Sequence, residues 1–191
     1  MHLILFFTRG ISLKGWDEYG MIDREVALYE RLRDKGVAIS FVTYGNANDL
    51  DYRERIPGIE ILCNRWDFPN LVYENFLHRF HGKALSSCDL IKTNQMKGAD
   101  VALRSSLHWG KPLICRMGFM WSEFVIHENG VAKKSLKVEK KLFKSADRII
   151  VTTDKMREDV LGRIPEAKTS VVPNYVETDG FKPDIDMSKE F

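Results

Sequence analysis

The 191-residue sequence lacks the features that define several large classes of protein. It has three cysteines and no Cys-x-x-Cys pair, which argues against a disulfide framework and against a cysteine zinc site. No apolar run approaches the roughly 18 residues that span a bilayer. The apolar opening, Leu3 to Phe7, is too short for the core of a signal peptide and Arg9 soon follows it. We therefore expect a cytoplasmic protein with reduced thiols.

Charge, histidine and glycine patterns exclude further classes. The formal net charge of +2 is too small to indicate a nucleic acid partner, and we expect none. No Gly-x-Gly-x-x-Gly motif marks a dinucleotide site. His78 and His81 lie one turn apart on a predicted helix, but no third ligand has a suitable spacing. We favour surface or groove histidines and expect no metal. No acidic cluster follows the first strand, which disfavours a flavodoxin-like or receiver domain.

Short apolar runs alternate with helical patterns along the chain. Such near-continuous runs are typical of strands that are covered on both faces. The predicted strands are His2–Thr8, Val37–Thr43, Ile59–Cys63, Asp89–Thr93, Pro112–Met117, Arg148–Thr153 and Thr169–Val172. The predicted helices are Met21–Lys35, Leu71–Leu85, Asp100–Trp109, Val131–Ala146 and Asp154–Leu161. The alternation predicts an α/β fold, doubly wound, with a mainly parallel sheet and helices on both faces.

The segment Arg9–Gly20, which follows the first predicted strand, is long for a βα loop, since about two to six residues are usual. It carries three glycines, two cations and a tryptophan, Trp16, that looks exposed. Glycines such as Gly10 and Gly15 allow close backbone approach, and the start of the next helix favours an anion. We predict a ligand-binding loop here, with an ordinary connecting loop as the alternative.

Polar side chains also follow two later strands. In Asn94–Gly98, side-chain amides could read sugar hydroxyls, or they could simply cap the next helix. In Arg116–Phe124, Arg116 could pair with a phosphate or carboxylate, and Glu123 could accept hydroxyl groups. The aromatic residues of that segment could instead only pack the loop.

The predicted helix Val131–Ala146 has an apolar arc and a basic arc. Glu139 falls in the middle of the apolar arc, so it needs a polar cleft or backbone donors. The basic arc could meet an anionic membrane or another polyanion, and a solvated lysine face is the alternative. Its lysines are Lys133, Lys134, Lys137, Lys140, Lys141 and Lys144.

The stretch from Glu139 to Pro183 resembles the end of the N-terminal domain of GT-B glycosyltransferases, in particular the large retaining group called family 4. In that group a helix ends in Ala-Asp-Arg, a strand ends in Ser or Thr, and a Pro-Asn segment with later Phe and Pro crosses to a second domain. Here the crossing segment includes Pro173, Asn174, Phe181 and Pro183. The resemblance covers nearly the whole chain.

The resemblance implies an enzyme that transfers a sugar from a nucleotide-sugar donor to a hydroxyl of a carbohydrate or lipid-linked acceptor, with retention and without a cofactor. Residues 1–173 would form the acceptor-side domain, and 174–191 would begin the linker to a C-terminal donor-binding domain that this chain lacks. The chain alone would be inactive. The donor-phosphate loop would include Gly10, Gly15 and Trp16. The acceptor side would include Arg9, Lys14, Asp17, Asn94, Gln95, Arg116, Trp121 and Glu123.

Two departures from the family pattern limit what can be transferred. The family often has a histidine near the strand end at Lys92–Asn94 and a His-Gly pair near Met117–Gly118, and neither histidine is present. No catalytic residue is therefore assigned. One alternative is a non-catalytic module that binds a sugar or supplies one wall of a split glycosyltransferase. Another is a peripheral domain at the inner face of the membrane that acts through the basic helix.

Overall fold

The protein, described by a computed structural model over residues 1–129 and 132–174 (for 127–129 the backbone only), has the predicted α/β architecture. Seven strands form one sheet in the order β3-β2-β1-β4-β5-β6-β7, and every adjacent pair is parallel. The strands are β1 (His2–Phe6), β2 (Ala38–Val42), β3 (Ile59–Leu62), β4 (Leu90–Thr93), β5 (Leu113–Met117), β6 (Arg148–Val151) and β7 (Thr169–Val171).

Helices connect these strands. They are α1 (Leu13–Glu18), α2 (Ile22–Asp34), α3 (Asn70–Phe80), α4 (Gly82–Ser87), α5 (Ala99–Trp109), α6 (Trp121–Asn129), α7 (Lys133–Ser145) and α8 (Asp154–Arg163), with a 3-10 helix at Ala47–Glu54. The chain runs from β1 to β2 in one direction along the sheet and from β4 to β5 in the other. Right-handed crossovers therefore place α2 and α5 on opposite faces of the sheet.

All seven predicted strands are present, but two predictions about the connections are wrong. The predicted helix Leu71–Leu85 is two helices, which meet at His81. His81 is buried and its Nε2 lies 2.9 Å from the Tyr73 hydroxyl, which fixes the ring at the break. The predicted loop Arg9–Gly20 contains α1, because the Ser12 side chain accepts from the Gly15 N–H and caps the helix. The predicted linker lies outside the described residues except for Asn174.

The direction of winding reverses at β1 and β4, and their carboxyl ends are tied together. The Asn94 N–H donates to the Phe6 carbonyl at 2.8 Å, and the Arg9 N–H donates to the Lys97 carbonyl at 3.0 Å. Gly98 has a φ of +98°, and a Cβ there would lie 2.9 Å from the Arg9 nitrogen. A glycine is therefore required where the two loops touch. In a doubly wound sheet this reversal is where ligands bind.

Candidate functional site

A cleft of about 550 Å³ opens at the carboxyl ends of β4 and β5, with α2 as one wall. Polar and apolar side chains share its lining, and the chain reaches it again directly after β7. The lining residues are Arg24, Glu25, Leu28, Tyr29, Lys92, Asn94, Gln95, Arg116, Gly118, Phe119, Ile150, Val172, Pro173 and Asn174. The position agrees with the general rule for open parallel sheets. The volume is within the usual range of about 300 to 1,000 Å³ for ligand sites.

Lys92, on β4, is the buried cation of this cleft. Its residue is only 8% exposed, and its Nζ donates to the Tyr29 hydroxyl at 2.8 Å. The pKa of Lys92 is lowered to about 8, mainly by burial; the charge of Arg116 contributes to this lowering, and Glu25 opposes it. Because the pKa is close to neutral pH, Lys92 carries most of its charge at pH 7 and little at pH 9.

Arg116, on β5, is the second cation of the cleft and connects three segments. Its Nη1 donates to the Asn94 carbonyl at 3.2 Å, and its Nη2 donates to the Asn174 side-chain oxygen at 2.7 Å. Its backbone N–H donates to the Thr93 hydroxyl at 3.1 Å. Arg116 therefore holds the first residue of the predicted linker against the cleft.

The predicted amide residues lie in the same cleft. Asn94 is buried, and the Gln95 side-chain oxygen accepts from the Gly118 N–H at 3.0 Å. The second bond joins the loops after β4 and β5, which fixes the rim of the cleft. The structure thus brings together Asn94, Gln95 and Arg116.

The glycine-bearing loop after β1 does not line this cleft, and the expectation that Trp16 is exposed is wrong. Trp16 is 1% exposed and stacks on Phe7 with ring centroids 3.8 Å apart. Burying the large apolar indole in the core stabilises the fold more than exposing it on the surface of the loop would. The Gly15 N–H is not free for a phosphate in this structure, because it donates to the Ser12 hydroxyl at 2.9 Å.

A carboxylate of the protein itself occupies the N-terminus of α1. The buried Asp49, from the 3-10 helix, accepts from the N–H groups of Leu13 at 3.2 Å and Lys14 at 3.4 Å. It also accepts from the Thr43 hydroxyl at 2.6 Å. The start of a helix favours negative charge, so Asp49 satisfies the group of donors that we expected to meet a donor phosphate.

The charged residues of the same loop are paired within the protein. Arg9 forms ion pairs with Asp100 at 2.8 Å and Glu74 at 3.1 Å. Asp17 accepts from Tyr52 at 2.9 Å and from Arg55, and these bonds, that of Arg55 first, lower its pKa. The remaining two predicted residues face solvent: Gly10, with a φ of +82°, and Lys14, whose Nζ lies 3.6 Å from Glu18.

Two further predicted residues lie on α6, outside the lining of the cleft. Trp121 is half-buried and packs against the core. Glu123 is exposed and pairs with Arg163 at 2.9 Å. The positions of Trp121 and Glu123 do not contradict a role in acceptor binding, and that role stays a prediction.

Glu139, on α7, is buried and has the partners that its position in the sequence required. It is 1% exposed, accepts from the Ser122 N–H at 2.9 Å, and pairs with Arg163 at 2.9 Å. The opposite face of α7 is basic, because all six predicted lysines are exposed. The two-faced character that the sequence predicted for this helix is confirmed.

Across the described ranges, no three His, Cys, Asp or Glu side chains cluster in a way that could hold a metal ion. Over the same ranges, no helix is long and apolar enough to cross a membrane.

Sequence reasoning misses most of the lining, including Lys92 and Tyr29, which are bonded to each other. Lys92 lies within the predicted strand Asp89–Thr93, and Tyr29 lies within the predicted helix Met21–Lys35. A signal was available for Lys92, since a lysine inside a buried strand needs a partner or a role. No comparable signal exists for Tyr29, because the contact of its hydroxyl with Lys92 joins residues that are distant in the chain.

Comparison with solved structures defines the class of protein. Sucrose-phosphate synthase from Thermosynechococcus elongatus matches with a TM-score of 0.63 and 19% identity over 94% of this chain and 49% of that one. HepE from Anabaena, in complex with UDP and glucose, matches with a TM-score of 0.59 and 18% identity over 93% and 45%. MurG from Acinetobacter baumannii gives 0.54 and 12% over 95% and 47%. At these identities the likeness shows the fold, which is that of an N-terminal-like domain of GT-B glycosyltransferases.

The family follows from the sequence profile of Glycosyltransferase Family 4, which matches residues 26–179. The match covers most of the chain, so the chain belongs to this family. No curated protein matches it. The chain spans about half the length of these three solved structures.

Proposed function

We propose that this chain is the acceptor-side domain of a glycosyltransferase that moves a sugar from a nucleotide-sugar donor to an acceptor hydroxyl with retention. The observation that carries the proposal is the cleft at the reversal of a family 4 fold, with Asn94, Gln95 and Arg116 in its wall. HepE, a similar structure, is described in complex with UDP and glucose, which supports a nucleotide-sugar donor here.

The proposed transfer requires that charge be stabilised at two places in the transition state. As the bond from the anomeric carbon to the diphosphate oxygen breaks, the carbon gains positive charge and the leaving diphosphate gains negative charge. The acceptor oxygen forms the new bond to the same face of the carbon as its O–H bond breaks, and the proton passes to the leaving diphosphate. Fixed hydrogen-bond donors and cations can stabilise the leaving group without a metal. In this proposal Asn94, Gln95 and Arg116 position the acceptor.

A second domain belongs to the proposal. We assign residues 1–173 to the acceptor-side domain and residues 174–191 to the start of a linker, with most donor contacts on a C-terminal domain or on a partner chain. The cleft then has only one of its two walls here. We expect this chain alone to be inactive, and we place the whole enzyme in the cytoplasm.

The test uses a protein in which this chain is followed by its donor-binding domain, assayed with a panel of nucleotide sugars beside the chain alone. We expect transfer only by the longer protein, and a product whose anomeric coupling constant in NMR matches that of the donor. An inverted product would remove retention from the proposal. Turnover by the chain alone would remove the need for a second wall.

Arg116→Gln in the longer protein should lower kcat/KM at least about tenfold, since one positioning hydrogen bond to a charged group contributes about 1.5 to 3 kcal/mol. Arg148→Gln is the matched control, because Arg148 is an exposed arginine on the neighbouring strand and does not line the cleft. Equal rates for the two variants, with folding preserved, would contradict the role of Arg116.

The exposed lysines of α7 support a second function, which is contact with an anionic membrane at the inner face. Lys133, Lys137, Lys140 and Lys144 are all exposed, and the exposed Leu136 lies among them. Phe124 and Ile126 on the neighbouring α6 are exposed as well. Basic residues contribute about 1 kcal/mol each near an anionic surface. Such contact would suit a lipid-linked acceptor.

Vesicle flotation tests this contact. Vesicles with phosphatidylglycerol should bind the protein at low salt and lose it at high salt, because exposed charges are screened. The fourfold Lys→Gln variant at 133, 137, 140 and 144 should not bind. The control is the fourfold Lys→Gln variant at 35, 83, 97 and 168, which removes the same charge from exposed sites elsewhere. If both variants bind equally, α7 is only a solvated face.

A further inference from the structure

The charges that line the cleft are unbalanced. Among the described lining residues there are three cations and one carboxylate. The carboxylate, Glu25, is bonded to one of the cations, Arg24, at 2.8 Å. Lys92 and Arg116 are thus left facing the cleft without a carboxylate of their own among the described residues.

The burial of Lys92 has an energetic cost that its protein contacts do not offset. An ammonium group removed from water needs a counter-charge or a full set of acceptors. It has three N–H donors, and its one hydrogen bond among the described residues is to a neutral acceptor, the Tyr29 hydroxyl, with the Tyr29 ring centroid 5.3 Å from Nζ. Its lowered pKa shows that the surroundings disfavour the charged form. In this environment methionine would give a more stable fold than lysine does. We therefore expect the charge of Lys92 to have a role in binding.

Arg116 also has donors to spare. A guanidinium carries five N–H donors, and here it contacts two acceptors, the Asn94 carbonyl and the Asn174 side-chain oxygen. Both acceptors are neutral. The guanidinium therefore keeps its charge and part of its fork for a ligand.

The two cations are close enough to hold one group. Lys92 pairs in register with Ile114, so Arg116 lies one strand across and two residues further along. Strand spacing and rise put their Cα atoms roughly 8 Å apart. Both side chains leave the sheet on the face that also carries α2, because alternate residues share a face.

We propose that the acceptor of this enzyme carries an oxyanion, a phosphate or a carboxylate, which binds between Lys92 and Arg116. The inference rests on the proposed function and names its substrate class. The apolar remainder of the lining, Leu28, Phe119 and Ile150, would contact the body of the acceptor. The same chemistry could come from the diphosphate of the donor, and the experiment separates the two sources.

Binding to this chain is measured by calorimetry with five probes: glucose 6-phosphate, glucuronate, glucose, UDP and inorganic phosphate. We expect the two anionic sugars to bind at least about tenfold more tightly than glucose, because hydrogen bonds between charged groups are stronger than those to a neutral hydroxyl. UDP should bind no better than inorganic phosphate. Equal binding of glucose and the anionic sugars would overturn the proposal, as would the absence of binding by any probe.

Two variants identify the groups involved. Lys92→Met and Arg116→Gln should each lower the affinity for glucose 6-phosphate at least about tenfold and leave the affinity for glucose unchanged. Arg148→Gln, which removes an exposed charge from the same sheet, should have no effect. If UDP binds most tightly and loses affinity in the two variants, the anion belongs to the donor and the proposal is wrong.

A pH series gives a signature that a merely structural role would not produce. The phosphate of the sugar stays dianionic above about pH 7, since its second pKa is about 6. Lys92, by contrast, loses its proton near pH 8 in the free protein, with Tyr29, Glu25, Arg24 and Arg116 as the ionisable groups around it. Affinity should fall between pH 7 and 9 in the wild type, and not in Lys92→Met. A flat profile in the wild type would count against Lys92 as the anion ligand.

These results are independent of the test of the function. Transfer by the longer protein can succeed with a neutral acceptor, in which case only the anion is refuted. If transfer fails with every donor but sugar phosphates bind tightly, the proposed anion site stands and the proposed glycosyltransferase activity is refuted.

Discussion

At the scale of single residues, two buried charged side chains have different kinds of partner. Glu139 is bonded to a backbone donor and to Arg163, whereas Lys92 has one neutral hydroxyl. The first arrangement stabilises a helix against its neighbours, and the second leaves a charge that a ligand can use. Sequence reasoning predicted the first, because a lone carboxylate in an apolar arc demands partners. It missed the second, although a lysine inside a buried strand needs a partner or a role.

The pair of Glu139 and Arg163 gives a prediction about stability. Arg163→Met should lower the free energy of unfolding by about 2 kcal/mol, less than for a fully buried pair, because the Arg163 side chain is 32% exposed. Adding Glu139→Gln should restore most of the loss, since a neutral amide can still accept from the Ser122 N–H. Urea denaturation measures both.

The control for this prediction is Glu123→Gln, which removes an exposed partner of the same arginine. It should change the free energy of unfolding by less than about 1 kcal/mol. A double variant no more stable than Arg163→Met alone would show that the buried carboxylate carries no penalty.

Lys92 gives a prediction about pH. Its pKa is lowered from 10.5 to about 8, so between these values the unfolded chain binds a proton that the folded chain does not. Stability from this group therefore rises with pH across that window, and the full penalty is present below about pH 8. Lys92→Met should be more stable than the wild type by about 2 to 3 kcal/mol at pH 7, and by little at pH 10. Urea denaturation at the two pH values tests this, and a constant difference would contradict it.

At the scale of elements, the strands were predictable and the connections were not. An apolar run such as Leu3 to Phe6 is recognisable in the sequence because both faces of the strand are covered. The 3-10 helix Ala47–Glu54 has a polar sequence and depends on Asp49, whose partners Leu13 and Lys14 are distant in the chain. The sequence cannot reveal such a contact without the topology that brings β1 and β2 together.

Asp49 gives the prediction at this scale. Asp49→Asn should lower the free energy of unfolding by about 2 kcal/mol, because a buried carboxylate that accepts from two helix N–H groups and a hydroxyl becomes a weaker acceptor. Hydrogen exchange of the α1 amides should accelerate at the same time.

Asp51→Asn is the matched control, since Asp51 belongs to the same 3-10 helix and is exposed. Its effect should stay within about 0.5 kcal/mol. If the two variants are equally stable, the carboxylate of Asp49 does not hold α1.

At the scale of the whole molecule, the sequence predicted the class of fold and the resemblance predicted the family. Neither fixed the position of each strand in the sheet, since β1 and β4 are neighbours although two strands separate them in the chain. That adjacency places Lys92 under Tyr29, and it is the reason why the candidate site could be predicted only in part. Asn94 and Gln95 could be predicted because they follow a strand, and Arg116 because it lies near the carboxyl end of one, where ligands bind in such sheets.

The sheet order gives a prediction about local stability. β1 has a strand on each side and its residues from Leu3 to Phe6 are buried, whereas β7 lies at the edge and its three residues are half-buried. Amides of β1 should therefore exchange only on global unfolding, and those of β7 at least about tenfold faster. Hydrogen exchange followed by mass spectrometry or NMR checks this; equal rates would mean that the sheet opens as one unit.

The lysine beneath Tyr29 also bears on how this protein would respond to laboratory evolution. A selection for heat resistance alone should enrich neutral residues at position 92, since the charge is a burden on the folded state. With the anion site proposed above, such variants would be more stable and would bind the acceptor less tightly. Libraries should therefore be selected for both stability and ligand binding, because position 92 is where the two requirements conflict.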